Sequence, residues 1–113
     1  EMQVLDNVKP SDKKKANHVA GSLSGLLSCD AAQVHPAGQW NHVKIRLAQG
    51  SLTFWMNGKQ VVHTQMWDDA WNKMIAASKF HQWPEFATFR KGHLALQDHG
   101  HTVWYRNIRI RQL

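Results

Sequence analysis

The sequence has a single cysteine, Cys29, in 113 residues. One thiol cannot close an intrachain disulfide, and there is no Cys pair at zinc-ligand spacing. A lone thiol suits a reducing compartment without excluding a periplasmic or secreted one. Also missing is any apolar run of the roughly 18–20 residues that cross a bilayer, so no membrane span is expected. No internal repeat or low-complexity tract interrupts the chain. It opens on Glu1 rather than Met, without a signal-peptide pattern, so an upstream portion is expected to have been removed or to lie outside the sequence. Acidic residues are in the minority, 8 Asp and Glu against 14 Lys and Arg, for a formal charge of +6. That balance raises nucleic acid as a partner, but the cations are dispersed. Their one run, Lys13-Lys14-Lys15, sits beside Pro10, Ser11 and Asp12 and reads as a solvated loop. Arg109 and Arg111 alternate with Ile108 and Ile110, as on the wet side of a half-buried strand. No recognition motif accompanies the charge, so no nucleic-acid partner is expected.

What is present suits one small domain covering residues 1–113. A chain of this size buries only about 60–70% of its unfolded surface, so its core is thin. Hydrophobic residues at 42% and charged residues at 19% exclude disorder. Six tryptophans are many for this length. Their broad apolar faces suit both thin sandwich cores and the stacking of sugar rings.

Glu1 to Leu5 alternates and reads as a strand already under way, with Glu1 and Gln3 on one face and Met2 and Val4 on the other. From Asp6 to Ala37 a long loop is expected, anchored by Leu23, Leu26 and Leu27. Trp40 to Leu47 sets Val43, Ile45 and Leu47 against His42, Lys44 and Arg46, a strand with one buried face. Leu52 to Met56 and Lys59 to Thr64 flank Asn57-Gly58, the strongest short hairpin signal. A two-residue turn there pairs Trp55 with Gln60 and Phe54 with Val61, and sends Trp55 away from Leu52 and Phe54. Asp68 or Asp69 caps a short helix with Trp71, Met74, Ile75 and Ser78 at helical spacing and Lys79 in its last turn. Two final strands are expected, His93–Gln97 and Thr102–Arg111, joined around Gly100. The expected class is all-β: an antiparallel β-sandwich or jelly roll with one short helix.

Within this frame Lys91-Gly92-His93-Leu94-Ala95-Leu96-Gln97-Asp98-His99-Gly100, then Val103-Trp104-Tyr105-Arg106-Asn107-Ile108-Arg109-Ile110, resembles the 3-keto-disaccharide hydrolase family. Glu1-Met2-Gln3-Val4-Leu5-Asp6, Gly38-Gln39-Trp40-Asn41, Trp55-Met56-Asn57-Gly58, Ser78-Lys79-Phe80 and Trp83-Pro84 follow the same family in order. The resemblance implies a concanavalin-like or laminin-G-like jelly roll of two facing sheets. Family domains open with further strands before the Glu-x-Gln segment, and carry Tyr where this chain has Ser24. The chain is therefore expected to be the C-terminal part of one such domain. Strands neighbouring Glu1–Leu5 and Leu94–Gln97 would come from the missing N-terminal part, another chain or a second copy. A periplasmic or secreted, bacterial location is expected.

The implied chemistry acts on oligosaccharides or glycosides oxidised at C3. The ketone acidifies the C2 hydrogen, a base removes it, the glycosidic oxygen leaves C1, and water then adds. Such a site needs a base, an electrophile on the ketone oxygen and an acid for the leaving group. The resemblance points to Glu1, Gln97, His99 and Arg106 as catalytic. Alternation puts Gln97 and His99 opposite Leu94 and Leu96, so they face the concave side if the leucines fill the core. Histidine is the side-chain type that can change charge near neutral pH, as a base or an ion ligand requires, which suits position 99. The Arg106 fork suits a carbonyl oxygen. Gln3, Trp55 and His18 are candidate substrate contacts, Trp55 by stacking on a sugar ring. His99 and His101, with His18 nearby, offer ligands for a divalent metal ion. A non-catalytic lectin-like module and a structural subunit are the alternatives.

Overall fold

The structure, a computed structural model, describes residues 1–8, 16–98 and 100–113. Its centre is an antiparallel meander, β1 (Val43–Ala48), β2 (Ser51–Met56) and β3 (Lys59–Gln65), in the order β1-β2-β3. Both connections are two-residue turns with positive φ at each position: Gln49 50° and Gly50 81°, then Asn57 50° and Gly58 84°. That is the type I′ geometry whose twist matches the strands it joins.

The Asn57-Gly58 turn forms where the residues foretell it, with Trp55 opposite Gln60 and Met56 opposite Lys59. One step further the register shifts, and Phe54 faces Val62 rather than the expected Val61. Val61 is the extra residue of a β-bulge, so Val62 joins Leu52, Phe54 and Met56 on the buried face. Trp55 lies on the opposite face, as expected.

The core forms where β2 and β3 meet Leu23 from the preceding loop and Trp71 from the helix, with Phe54 only 2% exposed at its centre. Each of these large side chains contributes about 1.5–3 kcal/mol by leaving water. α1 (Asp69–Ala76) begins at Asp68, whose carboxylate accepts from the Trp71 N–H at 2.7 Å, and Asp69 lies in its positive first turn. Ser78 is not a helical position but a junction. Its hydroxyl donates to the Ile75 carbonyl at 2.8 Å and accepts from the Phe80 N–H at 3.1 Å, ending α1 and opening the 3-10 turn Lys79–Gln82.

Three expectations need correction. Glu1–Leu5 pairs through one bridge, Met2 with Leu23, rather than as a strand. The Asp6 carboxylate accepts from the Val8 N–H at 3.0 Å and turns the chain away. His93–Gln97 and Thr102–Arg111 are not strands, because no described segment pairs with them, and Leu94 is left 80% exposed. The β1 apolar row continues the core face beyond its cover, leaving Val43, Ile45 and Leu47 at 48%, 53% and 46% exposure. No helix among the described residues is long and apolar enough to cross a membrane.

The Asn57 side chain does more than turn the chain. Its Oδ1 accepts from the His42 N–H at 2.8 Å, and its Nδ2 donates to the Gln33 carbonyl at 2.9 Å and to Asn41 Oδ1 at 2.8 Å. Asn57→Ala is expected to destabilise the protein by about 2–4 kcal/mol, through lost hydrogen bonds and an alanine forced to positive φ. Asn57→Gly keeps the backbone freedom and should cost about 1–2 kcal/mol less. Urea unfolding of both variants measures the difference, and equal losses would show that the side-chain bonds dominate entirely.

Candidate functional site

The candidate residues fall into three groups. The first surrounds the Met2–Leu23 bridge, where the Gln3 N–H donates to the Ser22 carbonyl at 2.9 Å and the Ser24 N–H to the Glu1 carbonyl at 3.0 Å. The Ser24 hydroxyl donates to Gln3 Oε1 at 2.8 Å, fixing the amide, while the Glu1 side chain is in solvent. His18 ends the 3-10 turn Ala16–His18, its Nδ1 donating to Asn17 Oδ1 at 2.8 Å. The Asn17 carbonyl accepts from the Gly25 N–H at 2.9 Å, so His18 is tied to the same loop as Glu1 and Gln3.

The second group lies in the C-terminal segment. Gln97 is exposed, and its carbonyl accepts from the Tyr105 hydroxyl at 3.2 Å. The Arg106 guanidinium stacks on the Trp40 ring, with Cζ 4.0 Å from the centroid. This contact pins a C-terminal residue to the entry of β1, and no acceptor among the described residues takes the guanidinium N–H groups. His99 lies outside the described residues. Among the described residues no side-chain hydrogen bond joins Glu1 or Gln3 to Gln97 or Arg106.

The third group is Trp55, half-buried on the sheet face opposite Phe54, with Lys44 Nζ 4.3 Å above its ring. Lys44 and Trp55 are cross-strand partners, a pairing readable once the Gln49-Gly50 turn is recognised. The Trp40 platform under Arg106 had no local signal, since the two are brought together only by the fold.

The metal proposal finds no site among the described residues. No three His, Cys, Asp or Glu side chains there are grouped to hold an ion. His101 is exposed, and its intended partner His99 is outside them.

Cys29 is not a nucleophile. It is buried, its N–H donates to the Ser22 hydroxyl at 3.0 Å, and Gly21 packs so close that a Cβ there would lie 2.8 Å from its Sγ. Burial pushes its thiol pKa up, and the neighbouring Asp30 charge adds to the shift. The unfolded thiol ionises at lower pH than the folded one, so this group's contribution to stability is lost as pH rises above the ordinary thiol range. At pH 8 an aromatic disulfide reagent is expected to label Cys29 at least about tenfold more slowly in the native protein than in urea. Equal rates would contradict this burial.

Comparison with known proteins sets these groups in context. The model of the 3-keto-alpha-glucoside-1,2-lyase-like domain matches residues 1–111. Over 126 aligned residues the chain is 33% identical to a 3-keto-disaccharide hydrolase of Bacteroides thetaiotaomicron. That alignment covers 100% of this chain and 43% of the relative, so the chain spans less than half the relative's length. A crystal structure of a candidate glycosyl hydrolase from Parabacteroides distasonis superposes with a TM-score of 0.59 and 20% identity. It covers 65% of this chain and 33% of that one. At that identity the likeness speaks for the fold alone, and it agrees with the all-β class.

Proposed function

The chain belongs to the 3-keto-alpha-glucoside-1,2-lyase-like domain family, and from that premise we propose that it forms part of an enzyme cleaving 3-keto-glycosides by elimination and hydration. The observation that carries this reading is the continuous match over residues 1–111, which takes in both the Glu1–Gln3 group and the Gln97–Arg106 group.

In the proposed reaction His99 takes the C2 proton, and the C2–H electron pair moves toward the C3 ketone, whose oxygen is held by the Arg106 fork. The pair then forms the C1–C2 double bond as the C1–O bond breaks, and Glu1 protonates the departing oxygen. Water adds its oxygen at C1 and C2 regains a proton, so the net change is hydrolysis. Gln97 and Gln3 bind sugar hydroxyls, His18 lines the approach, and Trp55 stacks on a ring once Lys44, which lies over it, swings aside. The support for Arg106 is its placement: its Cζ lies 4.0 Å from the centre of the Trp40 ring, and no acceptor among the described residues takes its N–H groups. A periplasmic or secreted location belongs to the same proposal.

In the intact protein, His99→Ala is expected to lower turnover of a 3-keto-glucoside about 10²–10⁴-fold while the circular dichroism stays unchanged. Turnover in D2O should place deuterium at C2 of the product. Wild-type rates in the variant would overturn the role of His99, and product free of deuterium would overturn elimination. Half-buried Trp55 on an open sheet face also fits a lectin-like module; glycoside binding without any turnover by the intact protein would favour that alternative.

The exposed row of Val43, Ile45 and Leu47 supports a second part of the proposal. Strands from a longer chain or a partner cover this face and pair with the Leu94–Gln97 segment, completing the sandwich. The 113-residue chain alone should bind a hydrophobic dye and self-associate, whereas a protein of the relative's length should do neither. A monomeric, dye-silent short chain would defeat this.

A further inference from the structure

Beyond the three groups lies a cleft of about 290 Å³ between α1 and the segment after the 3-10 turn Lys79–Gln82. This is the small end of ligand-site volumes, room for one sugar ring and little more. Trp71 and Phe86 contribute to its wall, and Trp83, 55% exposed, also lines it. Phe80 stacks on Phe86 at 3.9 Å with an interplanar angle of 4°, which holds that ring in place.

Three features of the lining select a ligand class. First, none of the lining side chains is Asp, Glu, Lys or Arg, and the cations over its rings, Lys79 on Phe80 and Arg90 on Trp67, are held by those rings. Second, free polar groups are present. The His81 Nδ1 lies 2.7 Å from the Ser78 carbonyl, which can only accept, so Nδ1 carries the hydrogen and the outer nitrogen of the neutral ring is an acceptor. That outer nitrogen and the Asn72 amide have no hydrogen-bond partner among the described residues. Third, Trp83 is largely exposed, with Phe80 tilted against its ring at 6.3 Å between centroids and 50° between planes. Trp40, Trp55 and Trp67 each carry a cation over the ring, whereas Trp83 carries none among the described residues.

An exposed indole beside an amide and an imidazole acceptor matches a ring with C–H bonds on one face and hydroxyls around its edge. We propose that this cleft binds a neutral pyranose unit, stacked on Trp83 and hydrogen-bonded by Asn72 and His81. None of Glu1, Gln97 and Arg106 lines it, and it does not depend on the elimination chemistry. Its ligand is an unoxidised sugar or the neutral end of a longer glycan.

The test uses the intact protein, labelled with 15N and titrated with methyl α-D-glucopyranoside, with methyl α-D-glucopyranosiduronate as the charged comparison. Millimolar glucoside is expected to shift the Trp83 indole signal and the amides of Asn72 and His81, while the glucuronide shifts them at least about tenfold more weakly. Trp83→Ala should weaken glucoside binding about tenfold, the size of one lost ring-stacking contact. Asn72→Ala, at an exposed helical position, guards against a folding artefact and should weaken binding as well. No shift at saturating glucoside would overturn the site. So would shifts confined to Trp55, or equal response to both sugars.

Discussion

The Asn57 side-chain amide accepts from the start of β1 and donates to the Gln33 carbonyl and to Asn41. Asn41 in turn clasps His35, accepting from its N–H at 2.8 Å and donating to its carbonyl at 3.0 Å. One turn residue therefore anchors the β2–β3 hairpin, the entry of β1 and the loop before it. The register of the sheet follows from that anchor, and the register decides which side chains meet Leu23 and Trp71. A shift by one residue would turn Phe54 and Leu52 away from this core and put Trp55 in their place. Trp40 stands next to Asn41, so the platform beneath Arg106 is held by the same network.

Excess positive charge is handled by rings rather than carboxylates. With 14 Lys and Arg against 8 Asp and Glu, one-to-one pairing would leave six cations without an acidic partner. Lys44, Lys79, Arg90 and Arg106 each lie over an aromatic ring instead. Each such contact is worth only about 0.5–1 kcal/mol at an exposed site. Their larger consequence is positional. A guanidinium lying flat on an indole loses rotational freedom but keeps its hydrogen-bonding edge, which an ion pair would consume.

Local chemistry explains what could be read in advance. Asn57-Gly58 announced its turn because few residue pairs accept two positive φ angles, and Asp68 announced its helix because a carboxylate satisfies free N–H groups there. The bulge at Val61 left no mark, since Val61 and Val62 are equally apolar and either could face Phe54. The terminal runs failed as strands for a different reason. Alternation states which face a strand would bury but supplies no partner, and among the described residues none is present for Leu94–Gln97. For the candidate site, the family resemblance named Gln97 and Arg106 together. Their actual supports, the Tyr105 hydroxyl and the Trp40 ring, come from a side chain eight residues on and from a distant strand entry.

The small residue at Ser24 shows how such a site is tuned. Where the family resemblance leads one to expect a tyrosine, the serine hydroxyl donates to Gln3 Oε1 at 2.8 Å. This uses the amide's acceptor and leaves its N–H2 group without a partner among the described residues. Gln3 is thereby presented as a donor. A donor beside exposed Glu1 suits a sugar hydroxyl or a ketone oxygen, whereas a free acceptor would compete with the carboxylate for the same hydrogens. Gln3 is held there by the backbone pairing of residues 1–3 with residues 21–24.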